Sequence, residues 1–570
     1  TTIRAKIMEM ILGQTQKVDP VPVSIQSQGH SQARDLMADF GDLAAHSQDS
    51  APSQVFAAHL MAGLVASGAK RIFLAPGARS QALAIAAGQL ADAGKAELHV
   101  RIDERSLGFT ALGAALASDE PSIIICTSGT AVANLHPAVL EASHSGVPLI
   151  LLTADRPHEL RGVGANQTTD QVGIFSDAVR ICFDVEAPAA PNFGLDSVAE
   201  LVNTAMMAAL GHNNSQPGPV QINLAFREPL SAIEPNAADI EAAPAHETFV
   251  ATPEFAILDA ETPTVVLAGA EAGPEAVELA ESFGWPLFAE PSSQARWGSN
   301  AVLAYRALLE NEPLLAGQIG RVIVFGKPTL SRVVIRLLFN ESVDVVVIKS
   351  KRMGHFDVSR RASAFVDEIT VTDEVDFDWL RQWQVADNRF RLASDVAPQL
   401  SRREVVEAVW EATDGAQNLV LGASRLIREA DTWAPAKPIN TFANRGLAGI
   451  DGTIATATGI AIATGQVTRA LMGDLTFLHD VGSLAIDAKD GDLDIQLVVV
   501  NDAGGSIFSA LEMAKTLSER EFDRLFKTEQ NVAIDKLAAA YGWGYRLVDT
   551  EPGLHEALKS SGRQIIEIRL

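Results

Sequence analysis

The sequence predicts an α/β protein made of three doubly wound parallel-sheet domains, and three observations predict it. Its 570 residues are too many for one hydrophobic core, and length alone suggests about three to four domains. Runs that are apolar on both faces, such as PSIIICTSG (121–129) and DIQLVVVND (494–502), alternate with amphipathic helical stretches. That alternation belongs to strands covered by helices on both faces. The same runs end in small-residue turns, as strands do where they hand over to a helix.

Taken in order, residues 1–52 are polar, rich in Gln, Ser and Asp, and are expected to form a mobile N-terminal extension. Residues 53–235 carry the first domain. A helix (QVFAAHLMAGLVASG) precedes the strand RIFLAPG, and ELHVRID, PSIIICTSG and VPLILLTADRP follow as strands with helices between them. The Pro/Ala/Glu-rich stretch within 236–255 reads as a linker. A central α/β domain, 256–376, is marked by TPTVVLAGA, WPLFAEPSS, RVIVFGKPT and VDVVVIKS. A helical connector, 377–400, leads to a third domain, 401–570, with strands NLVLGAS, INTFANRG, ALMGDLTF, DIQLVVVND, YRLVDT and RQIIEIRL.

Composition excludes several classes of function. A formal charge of −26 argues against nucleic acid or an anionic membrane as partner, since both would repel it. No apolar run approaches the ~20 residues that span a bilayer, and the first 30 residues lack a signal-peptide pattern; a cytoplasmic protein without stable membrane insertion is expected. Cys126 and Cys182 are too few for a disulfide framework and sit in apolar surroundings. His136, His144 and His158 have no metal-binding spacing. Neither a nucleophile elbow nor a Walker loop occurs.

In open parallel sheets ligands bind beyond the carboxyl ends of the strands. Two such ends in the third domain are Gly473-Asp474-Leu475 and Asn501-Asp502-Ala503-Gly504-Gly505. Their separation, one helix plus one strand, puts Asp474 and Asp502 at neighbouring strand ends facing one crevice. Carboxylate and amide oxygens beside a glycine turn suit a hard divalent cation sharing its shell with phosphate, and the glycines allow close approach of a diphosphate. The competing reading is an ordinary strand-to-helix turn with an N-cap. In the first domain, Asp103-Glu104-Arg105 closes an apolar strand at the same functional edge, with Asp103 explicable as a helix cap.

The Gly-Asp start and Asn-led end resemble the motif that brackets metal and diphosphate in thiamine-diphosphate enzymes. The likeness narrows with LAPGARS (74–80), DERS (103–106), CTSGTAVANLHPAVLEA (126–142), LTADRPHEL (152–160) and GANQTTDQ (164–171). With NRGLAGIDG (444–452), GDLTFLHD (473–480) and NDAGGSIF (501–508), these resemble the SEPHCHC synthases of the menaquinone pathway over residues 53–570. SEPHCHC is 2-succinyl-5-enolpyruvyl-6-hydroxy-3-cyclohexene-1-carboxylate. The resemblance implies pyrimidine-binding, central and diphosphate-binding domains, and a homodimer or dimer of dimers with active sites between subunits. It implies a transferase that decarboxylates 2-oxoglutarate and adds the succinyl carbanion to isochorismate, using thiamine diphosphate and Mg²⁺ (or Mn²⁺).

Carried over by position, Asp474, Asp502 and the Gly504 carbonyl hold the metal; Ile450 packs beneath the bent cofactor, with Leu475, Gly505 and Ile507 around it. Glu104 is the catalytic carboxylate against the pyrimidine ring. Arg79, Arg156, Gln167, Arg332, Arg428 and Arg445 match the positions that bind substrate anions, for which guanidinium forks are suited, and Phe508 and Leu511 wall the cavity. Two departures bear on substrate affinity: Ala78 stands where a Ser is common, and Ser331 where some members carry Lys. Two alternatives remain: another thiamine-diphosphate 2-oxoacid decarboxylase or acetolactate-type synthase, disfavoured by the number of arginines, and a non-catalytic ligand-binding relative, which needs neither Glu104 nor Asp474.

Overall fold

The computed structural model describes residues 51–190, 194–212, 216–232, 235–244, 253–350, 352, 354, 356–372, 377–393 and 400–570. Residues 1–50, which the sequence reads as part of a mobile extension, lie outside them, as do 245–252 of the linker and 394–399 of the connector.

Among the described residues the chain is an α/β protein whose strand pairs are all parallel, as the two-sided apolar runs require. The first sheet holds β1 (Arg71–Leu74), β2 (Glu97–Val100), β3 (Ser122–Cys126), β4 (Leu149–Asp155), β5 (Cys182–Val185) and β6 (Pro219–Ala225), in the order β2-β1-β3-β4-β6-β5. Next come β7 (Phe255–Leu258), β8 (Thr264–Ala268), β9 (Leu287–Ala289), β10 (Arg321–Phe325), β11 (Asp344–Ile348), β12 (Ala362–Val366) and β13 (Glu368–Val371). They form a five-stranded sheet, β12-β11-β10-β8-β9, with β7 and β13 paired beside it. The last sheet holds β14 (Asn418–Leu421), β15 (Asn440–Phe442), β16 (Thr468–Gly473), β17 (Ile495–Asn501), β18 (Gly544–Val548) and β19 (Gln564–Arg569). Its order, β15-β14-β16-β17-β19-β18, is the same permutation as in the first sheet.

One expected strand is shorter than its apolar run. ALMGDLTF leaves the sheet at Gly473, and Asp474 opens the helix Asp474–His479, because Gly473 takes the extended N-cap position. Strands β5, β6, β7, β12 and β13 have no counterpart in the sequence reading. In β6 all seven residues are buried although Gln221 and Asn223 break its apolar run. Both are paired inside the core: Gln221 Nε2 donates to the Gln171 carbonyl at 2.9 Å, and Asn223 Nδ2 to Asp155 Oδ2 at 3.0 Å.

Alternate residues of the first sheet face two different cores, as a period of two dictates. Ile72, Ile123 and Ile150 pack under the helices of the outer face. Phe73, Ile124 and Leu151 face a core that continues into the last sheet through Met472, Leu497 and Val499. Each such fully buried side chain contributes roughly 1.5–3 kcal/mol. Two helices, Glu104–Ser118 and Thr453–Thr464, cross at the centre of this shared core. A Cβ on Gly113 would overlap the Thr456 carbonyl, and one on Gly459 the Thr110 carbonyl, so the crossing is backbone against backbone. Around it, His99 Nδ1 meets Asp490 Oδ1 at 2.8 Å, and Arg101 Nη2 lies 2.6 Å from Asp490 Oδ2, an ion pair off the hydrogen-bond line.

Candidate active site

In a doubly wound sheet a crevice opens where successive connections leave in opposite directions. In the last sheet that point lies between β14 and β16. Ser424 ends the turn after β14 and caps the helix Arg425–Trp433, its hydroxyl accepting the Leu426 N–H at 3.2 Å. Gly473 ends β16, and a Cβ there would meet Ser424 Cβ only at ordinary contact distance, 3.6 Å, so the two turns approach without overlapping. Between them is a cavity of about 110 Å³ lined by Ala423–Leu426, Ile450, Gly473–Thr476, Val500, Asp502 and Gly504–Phe508.

The cavity gathers Ile450, Asp474, Leu475, Asp502, Gly504, Gly505, Ile507 and Phe508, eight positions singled out from sequence. Asp474 is buried; Oδ1 accepts the Leu475 N–H at 2.9 Å and Oδ2 the Gly504 N–H at 2.8 Å, tying the two strand ends together. Burial, and less strongly the charge of Asp502, raises its carboxyl above the ordinary range, against the pull of those N–H groups. Asp502 faces Arg402, whose Nε and Nη2 donate to Oδ2 at 3.0 and 2.5 Å, and the Ser506 hydroxyl reaches the same oxygen at 2.5 Å. Asn501 is turned away: Nδ2 donates to buried Glu567 at 3.0 Å and Oδ1 accepts the Ala503 N–H at 3.3 Å. The glycine pair has a local reason as well. Gly504 has φ +115°, and Cβ atoms on Gly504 and Gly505 would run into the Lys527 and Phe526 carbonyls, so both admit the 526–529 backbone.

Glu104 and Leu511 are not among the lining residues. Glu104 is half-buried as the first residue of its helix, behind Asp103, whose side chain caps the helix by accepting the Arg105 N–H at 2.9 Å. Arg105 Nη2 donates to the His479 carbonyl at 3.0 Å, at the far end of the short helix that Asp474 begins. Burial, then the charge of Glu104, raises the Cys126 thiol far above its usual range, which leaves that cysteine an inert core group.

The anion-binding candidates fall into two groups. At the carboxyl end of the first sheet, Arg156 is buried and donates to Ser128 Oγ, while Gln167 Nε2 donates to the Ser128 carbonyl at 3.0 Å. Arg79 donates to the Phe226 carbonyl at 2.9 Å; burial, then the nearby charge of Arg156, lowers its pKa. At the junction of the central and last sheets, Arg428 is lowered by burial and by the charges of Arg306, Arg332 and Arg445. Arg445 is buried with Nη2 on Thr329 Oγ1 at 2.8 Å, whereas the Arg332 side chain is 78% exposed. Sequence reasoning missed Ser424, Arg425, Thr476 and Ser506 in the lining, and Arg402 on Asp502. Ser424 was legible as a strand-end residue before a helix; Arg402 carried no signal, since only the fold brings its helix to β17.

This geometry agrees with the comparisons with known proteins. Residues 55–174 match the thiamine pyrophosphate enzyme N-terminal TPP binding domain and residues 428–568 the C-terminal TPP binding domain, which define the chain as a thiamine pyrophosphate enzyme. It is 42% identical to the 2-succinyl-5-enolpyruvyl-6-hydroxy-3-cyclohexene-1-carboxylate synthase of Leifsonia xyli, over 91% of this chain and 96% of that protein. It is 43% identical to the enzyme of the same name from Paenarthrobacter aurescens (92% and 95%) and 36% identical to that from Saccharopolyspora erythraea (91% and 96%). The chain belongs to the SEPHCHC synthase family. Among the described residues no helix is long and apolar enough to cross a membrane.

Proposed function

We propose that this chain is a cytoplasmic transferase that decarboxylates 2-oxoglutarate and joins the succinyl unit to isochorismate, forming SEPHCHC in menaquinone biosynthesis. The observation that carries the reading is the open crevice of the last sheet, where Ile450, Asp474, Asp502 and Gly504 converge. The names of the relatives and the two TPP binding domains support it.

The donor set fits a divalent metal and a diphosphate. Two carboxylates and the Gly504 carbonyl are hard oxygen ligands for Mg²⁺ or Mn²⁺, and a cation there would offset the burial and, less strongly, the Asp502 charge that raise Asp474. Bound thiamine diphosphate supplies the electron sink for loss of CO₂ from a 2-oxoacid. Ile450 would pack against the bound cofactor, with Leu475, Gly505 and Ile507 around it and Phe508 and Leu511 walling the substrate side. Glu104 holds a proton against the pyrimidine nitrogen, general acid–base work. Arg79, Arg156, Gln167, Arg332, Arg428 and Arg445 bind the substrate carboxylates, Arg428 and Arg445 those of the acceptor isochorismate. We assign residues 53–235 to the pyrimidine, 401–570 to the diphosphate and 256–376 to the central domain. The site forms between two subunits of a homodimer or dimer of dimers; the separation of Glu104 from its own chain's crevice lining supports this.

The test is consumption of isochorismate by the purified chain with thiamine diphosphate, Mg²⁺ and 2-oxoglutarate. Loss that stops when any one is omitted is expected. Turnover of pyruvate to acetolactate with isochorismate untouched would favour the acetolactate-type reading instead.

A further inference from the structure

The central unit brings Arg332 near Arg428, and it also reaches Arg445 from behind. Glu290 follows β9 and is completely buried. Its Oε1 accepts the Leu330 N–H at 2.7 Å, and the Thr329 N–H also bonds to its carboxyl. Those two N–H groups belong to the turn after β10, residues 326–331. The same turn grips the last unit twice: Thr329 Oγ1 accepts from Arg445 Nη2 at 2.8 Å, and Lys327 Nζ donates to the Gly446 carbonyl at 2.7 Å. Contacts therefore run without a gap from Glu290, through the turn, to a guanidinium of the acceptor group. Arg445 Nε and Glu290 Oε2 are buried without a hydrogen-bond partner among the described residues, so Thr329 is what orients the buried fork.

A fully buried carboxyl is costly to keep. Burial, then the charge of Asp431, pushes Glu290 up to about 8. An apolar side chain would fill the space at less cost but could not accept the two N–H groups. A parallel grip holds the neighbouring arginine's helix. Tyr305 Oη donates to buried Asp431 at 2.6 Å, and Arg306 Nη1 to the Arg428 carbonyl at 3.2 Å.

We propose that Glu290 is a positioning residue for the acceptor substrate: by holding the 326–331 turn it fixes Thr329, and through Thr329 the direction in which Arg445 presents its guanidinium. This rests on the reading of Arg445 as an acceptor-binding group. A small misplacement of such a fork costs substrate binding and turnover without touching the donor half of the reaction.

The test uses the full chain with thiamine diphosphate and Mg²⁺. Glu290→Ala is expected to raise the isochorismate KM about tenfold, leaving the 2-oxoglutarate KM and acceptor-free CO₂ release within twofold. Thr329→Val, which removes only the hydroxyl, should shift the same constant in the same direction even if Glu290→Ala fails to fold. Glu290→Gln, which keeps the accepting oxygen, should restore it. Equal shifts in both KM values, a Gln variant as impaired as the Ala variant, or a silent Thr329→Val would overturn the proposal. Arg445→Lys separates the two ideas. If it leaves the isochorismate KM unmoved, the acceptor reading and the proposal both fall; if it raises that KM while the other variants do not, only the positioning role is lost.

Discussion

The first and last sheets thread their six strands in the same order, yet their switch points are packed differently. In the last sheet, a Cβ on Gly473 would only touch Ser424, and a cavity lies beside the turns. In the first, the equivalent turns close on each other: a Cβ on Gly77, after β1, would overlap the Thr127 side chain, after β3. The edges differ in chemistry too. The first presents Arg79, Arg156 and Gln167, with Glu104 at the head of a helix, whereas the last presents the carboxylates Asp474 and Asp502. Topology decides where a strand ends; the residues in the turn decide whether that place is a crevice or a wall, and which charge it offers.

If the open edge holds cofactor, Asp474→Ala should abolish thiamine diphosphate binding, weakening it by roughly a hundredfold or more, since losing a metal ligand costs more than the 10–100-fold of an outer-shell contact. Far-UV circular dichroism should stay unchanged; unaltered affinity by titration calorimetry would sink the assignment. If the closed edge serves a partner's crevice, Glu104→Gln should slow exchange of the cofactor C2 proton by on the order of 10², read by NMR after rapid quench. Co-expressing these two inactive variants sharpens the comparison: in a symmetric dimer random mixing regenerates about a quarter of the native sites. No recovery would mean that both edges act within one chain. A smaller effect is expected from Arg428→Lys, which keeps charge but loses the bidentate fork. It should raise the isochorismate KM several-fold, and unchanged steady-state kinetics would remove Arg428 from the site.

The smallest effect concerns what joins the two sheets. Burial alone would raise Asp490, but the His99 hydrogen bond and the Arg101 charge outweigh it and hold the carboxyl below its usual value. A depressed acid contributes stability above its unfolded pKa and loses it as pH falls through the folded one. Wild-type Tm should therefore drop more steeply than that of Asp490→Asn as pH is lowered below about 4. Parallel curves would show that the pair does not couple the sheets.

The parts of this molecule that could be read from sequence are those in which one residue type answers one physical demand. In runs such as Ser122–Cys126 and Ile495–Asn501 unbroken apolar stretches (Ile123–Cys126, Leu497–Val500) are buried on both faces, so they announced parallel strands. Strand β6 did not, because Gln221 and Asn223 are satisfied by Gln171 and Asp155, partners distant in sequence that only the fold supplies. Asp474 and Asp502 were legible because each directly follows a strand; Ile450, Ile507 and Phe508 were reached only through the family resemblance. The Arg402–Asp502 pair and the Glu290 turn were not, since each joins segments whose proximity no local pattern encodes.

The Arg402 pair has a consequence for the order in which the protein matures. Two carboxylates at adjacent strand ends repel, and a chain relying on a metal to quiet them would need that metal to fold. Here a guanidinium already sits on Asp502 and two backbone N–H groups on Asp474. The charge is thus largely answered by the polypeptide itself. If a cation loads there as proposed, folding would not wait for it, and a chelator should empty the crevice without melting the sheet around it.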